Sequence, residues 1–178
     1  LLPWMSALEN VELGLRVRGV SADERRRRAL DWIDRVGLKG FEHARARELS
    51  QGMRQRVALA RTFCLAPECL LMDEPFAALD AQTRLLLQEE FLQLWERIRA
   101  SVIFVTHDLT EAILLSDRVI LMSSRPSRIV MSRKVPLKRP RRIPEQTGDP
   151  IFKKLYQELW EGLREQLRPL SVAATGRA

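Results

Sequence analysis

Apolar residues recur at helical spacing in three long stretches of the chain. These stretches predict helices from Ser21 to about Val36, from Gly52 to about Leu65, and from Ala81 to Ala100. The third helix carries a stripe predicted to lie in the core: Leu86, Leu87, Phe91, Leu94, Trp95 and Ile98. Asn10 to Gly19, in contrast, shows only a weak alternation of apolar and polar positions.

The ends of these helices are marked by residues with known capping roles. Ser21 and Glu24 have the spacing of a capping box, and Gly37 is placed to act as a C-cap. Pro67 ends the second helix because proline lacks an N–H group and disfavours a helical predecessor. The helix boundaries are therefore predicted from chemistry as well as from periodicity.

Short apolar runs predict strands between the later helices. Cys69 to Met72 and Ser101 to Thr106 lack alternation, which predicts strands buried on both faces of a parallel sheet. Thr110 to Leu115 is predicted to be a short helix, and Val119 to Met122 a further strand. Strands that alternate with helices indicate an α/β fold with a mainly parallel sheet flanked by helices.

The composition changes beyond Ser123, where prolines punctuate a basic stretch that we predict to be loosely structured. Asp149 as N-cap and Pro150 as first helical residue then begin an amphipathic helix. Its apolar stripe is Ile151, Leu155, Leu159, Leu163 and Leu167. We expect it to pack on its own domain or a partner, because its acidic residues would be repelled by anionic lipid. The tail from Ser171 is predicted to be disordered.

Charge and length narrow the class of protein. The 178 residues can bury one sizeable core, and no apolar run approaches the length of about 18 residues that a membrane span needs. The net charge of +7 is concentrated in residues 118–142, which hold nine Arg or Lys and no acidic residue. Such a run can bind nucleic acid or an anionic membrane, but a solvated face is favoured. Arg25 to Arg28 lie among acidic residues and predict an exposed helix with ion pairs.

The two cysteines and the N-terminal residues bear on the compartment of the protein. Cys64 and Cys69 lie in apolar surroundings, which favours buried structural thiols over a metal pair and fits a reducing compartment. The N-terminus lacks the charged, apolar and small-residue zones of a signal peptide.

Candidate chemistry is concentrated between Leu49 and Asp80. The Ser50-Gln51-Gly52 turn opens a helix, and a helix N-terminus favours an anion such as a phosphate. Asp73 and Glu74 follow an apolar run at the C-terminal end of a predicted strand, where open α/β sheets bind their ligands.

Four motifs in this order resemble those of an ATP-binding-cassette (ABC) transporter ATPase. Leu49–Met53 resembles the signature motif, Leu70–Pro75 the Walker B motif, Ala78–Asp80 the D-loop and Val105–Asp108 the switch-histidine segment. The amino-acid sequences of residues 53–56 and 123–126 are similar to those of nitrate/sulfonate/taurine-type importers. The resemblance covers the chain well to about residue 128, and it implies a P-loop-NTPase-like sheet with a small helical subdomain.

The resemblance implies a role for each residue that matches a motif. Asp73 matches the aspartate associated with Mg²⁺, Glu74 the carboxylate that polarises the attacking water, and His107 the residue that contacts the γ-phosphate of ATP. Asp80 matches the D-loop aspartate that links the two sites of a head-to-tail dimer. Ser50 and Gly52 match signature residues that contact the nucleotide held by the opposite subunit.

The chain departs from the family pattern at the signature motif. Gln51 occupies the first glycine position of that motif. If this position required a positive φ, Gln51 would cost on the order of 1 kcal/mol. In ordinary helical geometry Gln51 would be merely tolerated, and Gln51→Gly would have little effect or modestly raise activity.

A second departure is that no G-x-x-x-x-G-K-[ST] sequence and no Q-loop glutamine occur. The simplest expectation is an N-terminally truncated fragment, with a degenerate protein as the alternative. A fragment should lack a central strand and leave Leu71, Ile103 and Val105 without part of their cover. The chain alone should then be marginally stable or prone to aggregation, without ATPase activity.

The resemblance divides the chain into three segments. Residues 1–48 form part of the helical, permease-docking subdomain, residues 49–130 the ATPase core, and residues 131–178 a basic linker with a C-terminal helix. Trp4 is either a residue that docks the permease or an ordinary packed aromatic.

The expected function is Mg-ATP hydrolysis that drives solute uptake at the cytoplasmic face of the cell membrane. The implied cofactors are ATP and Mg²⁺. The implied partners are an ABC permease, a second ATPase subunit in a homodimer and, indirectly, a solute-binding protein; no nucleic acid is expected. The alternatives are a nucleic-acid-associated ABC ATPase, and a non-enzymatic chain that supplies only a signature surface.

Overall fold

A computed structural model describes the backbone of residues 1–174 and the side chains of residues 1–166. The chain forms two compact units, Leu1–Ile103 and Phe104 onward. The predicted α/β class with a parallel sheet is confirmed. The three-segment division of the sequence stays a prediction. No helix within the described part of the chain is long and apolar enough to cross a membrane.

Helices dominate the first unit. They are α1 (Ala7–Val17), α2 (Ala22–Arg35), α3 (Gln51–Phe63) and α4 (Ala81–Ile98), with a short 3-10 turn at Ala46–Glu48. Helices α1, α2 and α3 pack against one another. Four rings extend this core to the loop after the first strand: Trp32, Phe63, Phe91 and Phe76, with neighbouring centroids 5.6, 6.2 and 6.3 Å apart.

Helix α1 was not predicted, because only a weak alternation is visible over its residues. Its start is fixed by a capping box in which the Glu9 N–H donates to Ser6 Oγ at 3.2 Å and the Ser6 N–H donates to Glu9 Oε2 at 2.7 Å. The hydrogen bond from the Ser6 backbone lowers the pKa of Glu9. Val11 and Leu15 then face the core.

Helix α2 confirms the predicted span but not the predicted cap. Ser21 is the N-cap residue, yet its side chain makes no capping hydrogen bond. Glu24 instead accepts hydrogen bonds from Arg27 and Arg28, because these arginines lie three and four residues further along the exposed face. The prediction of ion pairs in this basic run is confirmed.

The predicted core stripe of α4 is correct in part. Leu87, Phe91 and Leu94 are buried, whereas Leu86 is exposed and Leu92 is buried in its place. Trp95 and Ile98 are half-buried. The buried face is therefore rotated toward Leu92. Periodicity did not distinguish this orientation, because Leu85, Leu86 and Leu87 are consecutive.

Two strands, β1 (Cys69–Asp73) and β2 (Ser101–Val105), form a two-stranded parallel sheet, and the chain passes from the first unit to the second within β2. The strands were predicted, but burial of both faces is wrong, because this sheet has two strands within the described residues and one of its faces is exposed. The expectation of incomplete cover is confirmed: the exposed fractions of Leu71, Ile103 and Val105 are 77%, 59% and 51%.

The two cysteines differ in environment. Cys64 is buried, and burial raises the pKa of its thiol to about 11. Cys69 is exposed at the start of β1, so the expectation of a buried thiol is wrong there.

The second unit contains α5 (Leu109–Leu115), the strands β3 (Arg118–Met122) and β4 (Ile129–Lys134), α6 (Ile143–Gln146) and α7 (Pro150–Ala174). Strands β3 and β4 pair antiparallel, with Val119 opposite Arg133. The prediction of a loosely structured stretch is therefore wrong for β4 and α6. The flanking prolines do not prevent pairing, because they lie outside the strand.

Helix α7 begins as predicted, with the Ile151 N–H donating to Asp149 Oδ1 at 2.7 Å. It packs on α5 and β3 through Phe152, Leu155 and Leu159, which confirms packing within its own unit. The helix continues past Ser171, so the predicted disordered tail is wrong for residues 171–174. Residues 175–178 and the Leu167 side chain lie outside the described residues.

Candidate functional site

The signature turn begins helix α3. Ser50 is its N-cap, and Ser50 Oγ accepts a hydrogen bond from the Met53 N–H at 3.2 Å. Gly52 lies in the first turn, where an added Cβ would come within 3.0 Å of Thr83 Cγ2. A glycine here therefore allows α3 to approach the start of α4 closely. Ser50 is exposed, so the positive end of the helix dipole is open to an anion.

Gln51 has helical geometry and is absent from the residues with positive φ. The alternative that required backbone strain is therefore wrong. Ordinary helical geometry is the alternative in which Gln51 is tolerated, and the expectation that Gln51→Gly has little effect stays a prediction. The Gln51 side chain also has a contact of its own. Gln51 Nε2 donates to the Ala78 carbonyl oxygen at 2.6 Å, across 27 residues of sequence.

The carboxylate pair lies at the C-terminal end of β1. Asp73 is the last residue of the strand, and Glu74 follows with a φ of +43°. A positive φ in a residue other than glycine costs on the order of 1 kcal/mol and occurs preferentially at active sites. Both side chains are exposed and line a cleft of about 410 Å³ between β1 and helix α3.

The segment between Glu74 and Asp80 is folded tightly. Phe76 and Leu79 are buried and anchor it to the core. The Ala77 N–H donates to the Glu74 carbonyl at 3.2 Å, and the Leu79 N–H donates to the Phe76 carbonyl at 3.3 Å. This segment therefore places the carboxylate pair relative to the start of α4.

Asp80 is the N-cap of α4. Its Oδ1 accepts from the Thr83 N–H at 3.0 Å, and the hydrogen bonds from Thr83 lower the pKa of Asp80. A helix-capping role accounts for this aspartate in the isolated chain, so a contact across a dimer interface stays a prediction.

His107 follows β2 and lies in the second unit, with its side chain exposed. The flanking residues are fixed by hydrogen bonds. Thr106 Oγ1 donates to Glu111 Oε2 at 2.7 Å and accepts from the Asp108 N–H at 3.0 Å. Asp108 Oδ1 also caps α5 by accepting from the Thr110 N–H at 2.7 Å.

Glu111 is a buried carboxylate that the sequence analysis did not single out. The available signal was its position three residues after Asp108 at a helix start, which is typical of a capping pattern. Five of the six predicted site residues thus lie together in the first unit, whereas His107 lies in the second.

The residues at the end of β1 fit a magnesium ion only in partnership with phosphate. No group of three or more His, Cys, Asp or Glu that could hold a metal occurs among the residues that the structure describes. Mg²⁺ usually takes one or two protein carboxylates and completes its shell with substrate phosphates and water. Asp73 and Glu74, exposed beside an open cleft, match that donor set.

The basic residues of 118–142 do not all form a solvated face. Arg141 is buried and donates to three carbonyl oxygens around the end of α5. Arg139 pairs with Asp117 at 2.9 Å, and Arg133 pairs with Glu158 at 3.0 Å. The solvated-face interpretation is therefore wrong for Arg141 and incomplete for its neighbours.

Trp4 has an exposed fraction of 68%, so the alternative of an ordinary packed aromatic is wrong. Its role in docking a permease stays a prediction.

The chain is similar to known ABC transporter ATP-binding proteins. A family model described as ABC transporter matches residues 1–77. An uncharacterized ABC transporter ATP-binding protein of Methanocaldococcus jannaschii is 52% identical and covers 79% of this chain and 53% of its own. The nitrate import ATP-binding protein of Synechocystis is 48% identical, covering 72% of this chain and 48% of its own. The taurine import ATP-binding protein of Rhizobium johnstonii is 45% identical, covering 96% and 63%.

Solved structures agree with the sequence comparisons. A dimeric ATP-binding cassette in a post-hydrolysis state, bound to ADP and Pi, matches with a TM-score of 0.63 at 34% identity, over 76% of this chain and 59% of that one. The predicted P-loop-NTPase-like fold is thereby confirmed. The chain spans about half to two thirds of the length of the curated relatives named here.

Proposed function

We propose that this chain belongs to the ABC transporter ATP-binding proteins and supplies the signature and Walker B parts of a subunit that hydrolyses Mg-ATP to drive uptake of a small solute. The observation that carries the proposal is the arrangement of the first unit. The signature turn and the carboxylate pair lie on neighbouring elements and are joined through the hydrogen bond from Gln51 to Ala78. The relatives that import nitrate and taurine support a solute of similar kind.

In this proposal Glu74, Asp73 and His107 each have a separate role in ATP hydrolysis. Glu74 orients the attacking water and accepts its proton, because its carboxylate lies exposed at the mouth of the cleft. Asp73 would hold Mg²⁺, which would neutralise phosphate charge. His107 donates a hydrogen bond to the γ-phosphate.

Ser50 and Gly52 would act on the nucleotide of a second subunit. The open N-terminus of α3 offers backbone N–H groups and a favourable dipole to phosphate oxygens. A dimeric cassette among the similar structures supports a dimer, and we propose that its subunits are arranged head to tail. Asp80 would lie beside the second site while it continues to cap α4.

The partners follow from the same premise. We propose a permease at the membrane, with the ATPase subunit on its cytoplasmic face and a solute-binding protein acting on the far side. In this arrangement residues 1–48 provide the docking side, residues 49–130 the ATPase core and residues 131–178 an accessory segment. Exposed Trp4 is the residue of the docking side that we expect to contact the permease.

A nucleic-acid-associated function is the weaker alternative. Three arginines of the basic segment are engaged by Asp117, Glu158 or backbone carbonyls, so fewer cations remain for phosphate contacts than the sequence indicated. Binding to duplex DNA with a steep salt dependence would favour this alternative.

The test of the proposed function is thermal unfolding with and without millimolar Mg-ATP, combined with phosphate release. The 178-residue chain contains no phosphate-cradling P-loop sequence, so we expect neither a shift nor turnover. The subunit completed with a strand–P-loop–helix block should show both, since ligand at 100 times its Kd stabilises by about 2.7 kcal/mol. Turnover by the chain alone, or none in the completed subunit, contradicts the proposal. The latter result favours a chain that supplies only a signature surface.

His107→Ala in the completed subunit should lower ATP turnover by about 10-fold, because one hydrogen bond to the transferring phosphate is lost. Thermal stability should change little, since the side chain is exposed. His43→Ala is the matched control, because His43 is exposed in the first unit and no role is assigned to it. An unchanged rate in His107→Ala would leave His107 with a structural role only.

A further inference from the structure

Two glutamines of helix α3 hold the segment that follows the carboxylate pair. Gln51 and Gln55 lie four residues apart, so their side chains leave the same face of the helix. Gln51 Nε2 donates to the Ala78 carbonyl at 2.6 Å, and Gln55 Nε2 donates to the Pro75 carbonyl. Pro75 directly follows Glu74, and Ala78 lies two residues before Asp80. The two amides therefore bind both ends of the segment, which we call the clamped loop (residues 75–79).

The clamped loop needs these bonds to keep one conformation. It begins after Glu74, whose φ of +43° is unfavourable for a residue with a side chain. Apart from its two buried anchors, Phe76 and Leu79, its residues face solvent or are half-buried. A third donor is Arg84 of helix α4, whose Nη2 donates to the Leu79 carbonyl oxygen at a distance of 2.9 Å. Side-chain donors thus satisfy carbonyls that the turn itself leaves unpaired, and each donor comes from a helix of the first unit.

We propose that Gln51 and Gln55 are positioning residues that make the signature turn and the hydrolytic carboxylate move as one body. The proposal rests on the proposed function, in which Ser50 and Gly52 contact the nucleotide of the second subunit while Glu74 serves the nucleotide of its own. Gln51 lies between Ser50 and Gly52 in sequence, so any displacement of the helix start is transmitted to Ala78. Docking of the signature turn on one nucleotide thereby sets the position of Glu74 at the other.

Gln51 is the sharper probe of this arrangement, because the residue is a departure from the family motif and its exposed side chain can be changed without opening the core. Gln51→Met keeps the length of the side chain and removes its N–H donor. Gln157→Met is the matched control: the same change at an exposed glutamine of α7, remote in sequence from the clamped loop. Both variants should unfold within about 2 °C of the parent, as expected for exposed positions.

Two readouts in the completed dimeric subunit distinguish positioning from mere stability. Amide hydrogen exchange reports the clamped loop directly through two N–H groups: that of Ala77, which donates to the Glu74 carbonyl, and that of Leu79, which donates to the Phe76 carbonyl. We expect a non-hydrolysable ATP analogue to slow their exchange in the parent and in Gln157→Met, but much less in Gln51→Met. Steady-state hydrolysis should show kcat lowered by about 5- to 10-fold in Gln51→Met with KM within about twofold, because binding is kept and alignment is lost.

The hydrogen exchange and the kcat of Gln51→Met together decide whether Gln51 is a positioning residue. Faster exchange in Gln51→Met with kcat unchanged overturns the positioning role, since the loop can then move without consequence. A lower kcat with unchanged exchange also overturns it, because the effect would act by another route. No hydrolysis by the parent subunit removes the proposed function and the positioning role together. In that case the exchange measurement still shows whether the hydrogen bond of Gln51 holds the loop.

Discussion

Glu74→Gln in the completed subunit should retain nucleotide binding and lower ATP hydrolysis by about 100-fold or more, the range that a positioned general base contributes. The amide keeps the size and shape of the side chain but loses the oxygen that accepts a proton from water. Glu74 is exposed at the cleft directly after β1, and glutamine at this position has the same backbone as glutamate. The substitution should therefore remove chemistry without removing structure.

The measurement is phosphate release alongside equilibrium binding of ATP. Glu68→Gln is the matched control. Glu68 is exposed and directly precedes the first residue of β1, so the same substitution is made at the opposite end of the strand from Glu74. The control should hydrolyse ATP at the parent rate. Hydrolysis by Glu74→Gln within twofold of the parent would exclude Glu74 from the catalytic role, and a loss of binding would assign it to nucleotide affinity instead.

The candidate site was predictable where it depends on short motifs. Ser50, Gly52, Asp73, Glu74 and Asp80 were each singled out, and the structure places them at a helix start, a strand end and a helix cap. These positions are local consequences of sequence, because caps and strand ends involve residues within a few positions of one another. The catalytic and binding roles of these residues stay predictions.

The contacts that connect the motifs could not be predicted in the same way. The bond from Gln51 to Ala78 spans 27 residues, and the sequence does not show which carbonyl a glutamine will reach. Strand β4 was missed because prolines on both sides suggested a loop, whereas its pairing with β3 is set by tertiary context. Helix α1 was missed because its capping box was not recognised beneath a weak alternation.

The exposed sheet face shows how sequence and structure can agree on an unusual feature. Leu71 lies on a strand whose apolar run indicates burial, yet the exposed fraction of its side chain is 77%. The absence of a P-loop sequence led to the expectation that part of the sheet's cover is missing from this chain. An apolar strand with an open face is a site where other chains can pair or pack, so aggregation of the 178-residue chain is the expected behaviour in solution.

Arg141→Met should destabilise the protein by about 3 kcal/mol, the largest effect on stability that we expect from a single substitution in the second unit. The Arg141 side chain has an exposed fraction of only 1%. Its Nη1 donates to the carbonyls of Leu114 at 3.0 Å and Ser116 at 2.6 Å, and its Nη2 donates to that of Leu137 at 3.2 Å. Methionine fills a similar volume but leaves those buried acceptors without donors.

The position of Arg141 makes this loss matter for function as well. The last carbonyls of a helix have no partner within it, and a cation at that end is also favoured by the helix dipole. Arg141 supplies hydrogen-bond donors and a positive charge to the C-terminal end of α5, the helix that begins two residues after His107. We therefore expect Arg141→Met to loosen the segment that carries His107.

The measurement is urea unfolding, with the shift in midpoint interpreted at an unchanged m-value. Arg142→Met is a control on the adjacent residue, whose exposed side chain makes one ion pair with Glu145 at 3.4 Å, and it should change stability by less than about 0.5 kcal/mol. Burial lowers the pKa of Arg141 to about 10, below its ordinary value. Between these two values stability would rise with pH, but near neutral pH the guanidinium is charged in both the folded and the unfolded chain. The destabilisation should therefore be the same at about pH 6 and pH 8, and equal effects of the two substitutions would show that the buried contacts of Arg141 contribute nothing beyond those of an exposed arginine.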